Sequence, residues 1–153
     1  MPLADYLSTK AICMHLEPEE RDGAVRRMLE RLVEGEIMPG QLLDGALKAI
    51  LDRESLGSTA IGRGIAVPHA RLEELEDILV AFGFSAKGVE FNSLDRQPVH
   101  QIFLVIAPKN HTEEYVSVME RITRLVQNAD FRRFVAQTST AEEVVELVEE
   151  MEQ

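Results

Sequence analysis

Thr59 to Arg71 reads TAIGRGIAVPHAR, and it is where a helical pattern gives way to strands. Gly62 and Gly64 flank Arg63 as in a tight turn, because glycine reaches backbone angles that a side chain opposes. Ile65, Ala66 and Val67 then form a minimal apolar strand. Pro68 removes a ladder donor and holds Val67 extended, so regular pairing is expected to stop there. His69 is left at a strand end, and the carboxyl ends of strands in α/β sheets are where ligands collect. Against this stands the commoner role of a histidine in such a domain, a surface or hydrogen-bonded structural residue.

Upstream, Val25, Met28, Leu29, Leu32 and Val33 recur at helical spacing within Glu17 to Glu34, with Pro18 suited to the first turn and Gly35 to the stop. A second helix is expected after Pro39, carrying Leu42, Leu43, Ala46, Leu47, Ile50 and Leu51 and ending near Asp52. Downstream, Tyr115, Val118, Met119, Ile122, Leu125 and Val126 repeat the helical pattern, and Thr140 with Glu143 makes a capping box ahead of a last helix. Between them, Ala11 to Leu16, Ile65 to Val67, Ile78 to Phe84 and Gln101 to Ala107 read as strands. Two of these runs are apolar nearly throughout, as strands covered on both faces are. The order predicts an α/β sandwich with a mixed sheet flanked by helices, a single domain spanning residues 1–153.

Composition narrows the function. Of 153 residues, 27 are acidic and 16 basic, a formal charge of -11. That field repels phosphate backbones and anionic membranes, so nucleic acid is not an expected partner. It would speed encounter with a protein carrying a basic patch. No apolar run approaches the roughly 18 residues of a membrane span, and the N-terminus MPLADYLSTK lacks the pattern of an export signal. The single cysteine, Cys13, reads as a small buried hydrophobe, and a cytoplasmic, reducing location is expected. His15, His100 and His111 make no ligand-spaced pair with one another or with His69, so no metal or other cofactor is expected. No G-x-S-x-G elbow is present either, which sets aside a serine hydrolase.

The longer stretch LDRESLGSTAIGRGIAVPHAR, Leu51 to Arg71, resembles the active-site segment of mannitol/fructose-type enzyme IIA domains of the bacterial phosphoenolpyruvate-dependent phosphotransferase system. The likeness carries an R-E pair, an S-T pair, a glycine turn and an I-A-V-P-H run, and it continues in FLVIAP (Phe103 to Pro108) and DFRRF (Asp130 to Phe134). With no attached IIB or IIC portion, the chain most resembles the stand-alone nitrogen-related enzymes IIA, which act in regulation more than in sugar uptake.

The resemblance implies that His69 is the phosphorylated histidine and Arg53 the active-site arginine. The expected partners are an HPr-like phosphocarrier and either regulatory target proteins or a separate IIB. Such chemistry needs a neutral ring nitrogen that forms a covalent intermediate. It also needs donors for about two negative charges. Arg53 can supply a planar fork, Ser58 or Thr59 a hydroxyl, and Gly64 an N–H. Read without the resemblance, Arg53 is a cation at a helix C-terminus. Relatives often carry a second histidine seven residues after the proline matching Pro108, where this chain has Tyr115. Tyr115 either donates a hydrogen bond to the phosphoryl group or belongs to the core, and its shared face with Val118, Met119 and Ile122 favours core. His111 could replace the missing ring only if the helix began before Thr112, which reads as its N-cap.

Overall fold

The computed structural model describes residues 1–152. Strand β1 is Ile12–Cys13, and helices α1 (Arg21–Glu34) and α2 (Leu43–Ser55) follow it. Three short strands come next, β2 (Ala60–Gly62), β3 (Ile65–Ala66) and β4 (His69–Arg71), ahead of two long ones, β5 (Leu79–Val89) and β6 (Val99–Ala107). Helices α3 (Thr112–Gln127), α4 (Ala129–Val135) and α5 (Ala141–Met151) close the chain. The sheet order is β1-β5-β6-β3-β2, with β4 also on β6. Pairing is mixed: β1/β5, β3/β6 and β4/β6 run parallel, β5/β6 and β2/β3 antiparallel.

Alternation along β6 divides its side chains between two cores. Ile102, Leu104 and Ile106 join Met28, Leu29, Leu32 and Ile50 of α1 and α2. Phe103 and Val105 join Val118, Ile122, Phe131, Val144 and Val148 of α3, α4 and α5 on the other face. Because helices cover both faces, neither long strand needs a polar side, which is why both read as continuous apolar runs. The expected α/β sandwich with a mixed sheet is the observed architecture. Among the described residues no helix is long and apolar enough to cross a membrane.

Several boundaries differ from the sequence reading, each for a tertiary reason. Helix α1 begins at Arg21 rather than in the first residues after Leu16, because the preceding segment is extended: Glu90 N–H donates to the Glu19 carbonyl (2.8 Å) and Arg21 N–H to the Glu90 carbonyl (3.1 Å). Pro18 therefore precedes the helix, while Gly35 does stand at its C-cap. A side chain at Gly35 would bring its Cβ within 2.8 Å of Lys10 Cβ. Helix α2 runs three residues past Asp52, which puts Arg53 in its last turn. The first strand shrinks to two residues, and β5 extends through an irregularity between Phe84 and Val89.

The proline does not end pairing as expected. Ile65 pairs with Gln101 and His69 with Val105, so β3 and β4 keep one register along β6, and the Pro68 carbonyl still accepts from Val105 N–H at 3.0 Å. A proline has no N–H to give but keeps its acceptor, so it interrupts the ladder without changing its course.

Candidate functional site

His69 opens β4 immediately after that interruption. Its Nδ1 lies 2.7 Å from the Val67 carbonyl oxygen. A carbonyl can only accept, so Nδ1 carries the proton and the lone pair of the neutral ring is on Nε2. The half-buried ring borders an open cleft of about 510 Å³ walled by α3, with Tyr115, Val116, Met119, Glu120 and Arg124 around it.

Tyr115 stands 6.4 Å from His69, ring centre to ring centre, tilted by 52°. It packs against the apolar cluster under α3 and also walls the cleft, so the expectation that it is core gives only half of its place. Burial pushes its phenol pKa up, and the charges of Arg71 and then Arg53 draw it partly back. The net rise keeps an O–H donor on the ring, and both guanidinium groups lie within electrostatic reach of it.

Arg53 closes the end of α2 by donating from Nη1 to the Gly57 carbonyl at 2.8 Å. That bond is the helix-end role expected of a cation at this position.

Arg71 was not legible as a site residue from the motif. Two positions after His69 on the same strand, it shares that residue's face. Its guanidinium carbon lies 5.5 Å from the Tyr115 ring centre. Nη2 donates to Thr112 Oγ1 at 2.8 Å and to the Lys109 carbonyl, while Nε is buried with no partner among the described residues. Strand periodicity was the available signal.

The remaining candidates are placed elsewhere or already engaged. Ser58 donates its hydroxyl to the Phe91 carbonyl at 2.9 Å and accepts from Ala60 N–H at 3.0 Å. Thr59 donates its hydroxyl to the buried carboxylate of Glu54, which also accepts the Thr59 N–H at 3.2 Å. Each hydroxyl proton is therefore committed inside the turn. Gly64 lies just before β3, five residues or roughly 17 Å along the strand direction from the level of His69. Its φ is +79° and that of Arg63 is +59°, the two left-handed positions of a type I′ turn. A Cβ there would touch His100, 3.6 Å away, so the glycine turn packs on a different histidine from the one expected.

His111, not Thr112, is the N-cap of α3, and it makes no side-chain capping bond. Thr112 is the first helical residue because its hydroxyl serves Arg71 instead. The His111 ring turns to Glu114 (3.4 Å), whose other oxygen accepts the Tyr6 hydroxyl at 2.6 Å. His111 is not among the residues that wall the His69 cleft.

Comparison with known proteins adds an independent line. The family model for the EIIA 2 proteins of the phosphoenolpyruvate-dependent sugar phosphotransferase system matches residues 5–151. A nitrogen regulatory protein of Bradyrhizobium diazoefficiens is 32% identical over 133 residues, which span 87% of this chain and 85% of that protein. The nitrogen regulatory protein IIA-Ntr from Neisseria meningitidis has the same fold at a TM-score of 0.85 and 25% identity, over 95% of this chain and 98% of that one. The mannitol enzyme IIA of Escherichia coli, solved in complex with phosphorylated enzyme IIB, shares the fold at a TM-score of 0.74 and 24% identity, over 92% and 95% of the two chains.

Proposed function

The chain belongs to the EIIA 2 family of the phosphoenolpyruvate-dependent sugar phosphotransferase system, and we propose that it is a phosphocarrier whose His69 takes a phosphoryl group from an HPr-like phosphohistidine protein. The observation that carries this reading is the hydrogen bond from Nδ1 to the Val67 carbonyl, 2.7 Å long, on a ring that borders a cleft. It fixes which nitrogen attacks before any donor arrives, so no tautomer exchange is needed.

In the step itself the Nε2 lone pair forms the bond to phosphorus. The bond from phosphorus to the donor nitrogen breaks, and its electron pair returns to the donor imidazole. One imidazole replaces another, so the barrier is governed by positioning and by charge on the transferring oxygens. Arg53 and Arg71 are the cations assigned to that charge, and the Tyr115 hydroxyl the neutral donor.

The bound group adds about two negative charges to a half-buried position. A partner surface that docks over α3 then meets a different potential in the two states, with no change of fold required. This supports a regulatory protein of the nitrogen type, working in the cytoplasm as one domain and binding its targets according to phosphorylation. The mannitol relative's complex with phosphorylated IIB supports a second reading, a sugar-specific IIA that passes the group to a separate IIB.

Incubation with phosphorylated HPr tests the shared premise. Acid-labile label is expected on the native chain and not on His69→Ala. An unlabelled native chain would reduce it to a binding module without transfer. Adding a IIB protein then separates relay from regulation.

A further inference from the structure

A second cleft, of about 500 Å³, lies between the Arg63–Gly64 turn and the C-terminal half of α3. Thr123 and Gln127 line both this cleft and the one beside His69, so α3 is their shared wall. The lining of the second differs in charge: it holds Arg63 and Arg132 and no carboxylate, with exposed apolar surface from Ile61.

The arginines of the chain divide into those that meet a carboxylate and those that do not. Arg21, Arg26, Arg27, Arg121 and Arg133 each have one within 4.0 Å. Among the described residues the other seven of the twelve, Arg63 and Arg132 included, pair with none, and these two are set apart by lining one cleft that holds no carboxylate.

Arg132 is held at its guanidinium and Arg63 at its backbone. Arg132 donates from Nη1 to the Val126 carbonyl at 2.7 Å, and its own carbonyl accepts from Gln101 at 3.0 Å. Arg63 sits at φ +59°, a conformation that glycine or asparagine adopts more readily. Its N–H is tied to Asp95 at 3.0 Å, and Asp95 also accepts the Ser93 hydroxyl and the Gln97 N–H. The nearby carboxylate thus braces the backbone of the turn, and the guanidinium is left for the cleft.

We infer that this cleft binds a small organic phosphate, its charge held between Arg63 and Arg132 and its apolar or planar body against Ile61. Guanidinium forks match phosphate oxygens in pairs, and the volume falls within the range of about 300–1,000 Å³ typical of ligand sites. An occupant would lie against the same helix that walls the His69 cleft, within reach of any protein docked there.

Phenyl phosphate is the probe, followed by backbone amide shifts in the whole chain. Saturable shifts are expected at residues 61–65 and 123–127, unchanged in His69→Ala. The pair Arg63→Gly and Arg132→Gln should weaken binding at least tenfold; glycine keeps the left-handed turn. If the pair fails to fold, Arg63→Gly alone should still weaken binding several-fold with the spectrum otherwise intact. Inorganic phosphate is expected to bind more weakly than the phenyl ester. Equal affinity in the folded arginine variants, shifts that centre on His69 and vanish in His69→Ala, or no saturable shift would each overturn the inference. Label transfer to His69 is measured separately, so neither result stands in for the other.

Discussion

His69 and His100 stand on paired strands, both half-buried, and each directs Nδ1 to a backbone carbonyl: Val67 at 2.7 Å and Ser85 at 2.8 Å. By that measure the two rings are equally fixed in tautomer. What differs is the space beyond. Around His100 the chain has removed side chains: a Cβ on Gly64 would lie 3.6 Å from its Cδ2, and one on Gly88 3.2 Å from its Cε1. Around His69 it has left a cleft and brought up Tyr115, with Arg53 and Arg71 in reach of the phenol. A fixed tautomer is therefore shared by two rings whose surroundings differ. Open volume and nearby unpaired cations are what separate them.

Exchanging alanine into the pair breaks the comparison most directly. His69→Ala should abolish acid-labile label from phosphorylated HPr, whereas His100→Ala should label within about twofold of native once corrected for folded fraction. Equal loss in both would erase the distinction.

The cations come next. Arg71→Ala should slow transfer by about 10- to 100-fold, the range expected for hydrogen bonds to a charged group worth about 1.5–3 kcal/mol. Arg96→Ala, in the loop leading to β6, should leave the rate unchanged in a single-turnover assay. On the His100 side the effect should be structural. At Gly88, with φ +96°, a Cβ would lie 2.7 Å from Pro98 Cβ. Gly88→Ala should cost about 1–3 kcal/mol in urea unfolding without slowing transfer per folded molecule.

The smallest effect sharpens the surroundings of His69. Tyr6 and Tyr115 are the two tyrosines of the chain, and burial raises the pKa of both, with the Glu114 hydrogen bond helping to bring Tyr6 to about 12. A raised folded value favours the protonated phenol. The associated stability is thus complete below the unfolded value of about 10 and fades as pH rises through the folded ones. Tyrosinate absorbance at pH near 10 should be well below half-maximal in the native chain and about half in urea. Tyr115→Phe should slow transfer only a few-fold.

The fold was legible because most of its instructions are local. Helical spacing marks α1 to α3 and α5, and the Thr140–Glu143 box forms, with Thr140 accepting the Glu143 N–H and Glu143 accepting the Ser139 N–H, both at 3.2 Å. His69 was legible for a similar reason, since glycine, strand and proline specify its backbone within a few residues. Partners brought in from elsewhere were not. Glu90, some seventy residues on, keeps Glu19 extended and delays α1. Arg71 takes the Thr112 hydroxyl that spacing assigns to a cap, and Gly64 turns to His100 because β3 continues into β4 in register. Spacing names candidates well, but it does not say which way a shared strand carries them apart.

The gap at Pro68 has a consequence for how the sheet ends. The Val67 N–H is taken by Thr59, and its carbonyl is occupied by an imidazole rather than by another strand. A side chain thereby plugs an acceptor at a border where a foreign chain could otherwise dock and extend the sheet. One ring then both closes that acceptor and stands at the edge of the cleft beside Tyr115.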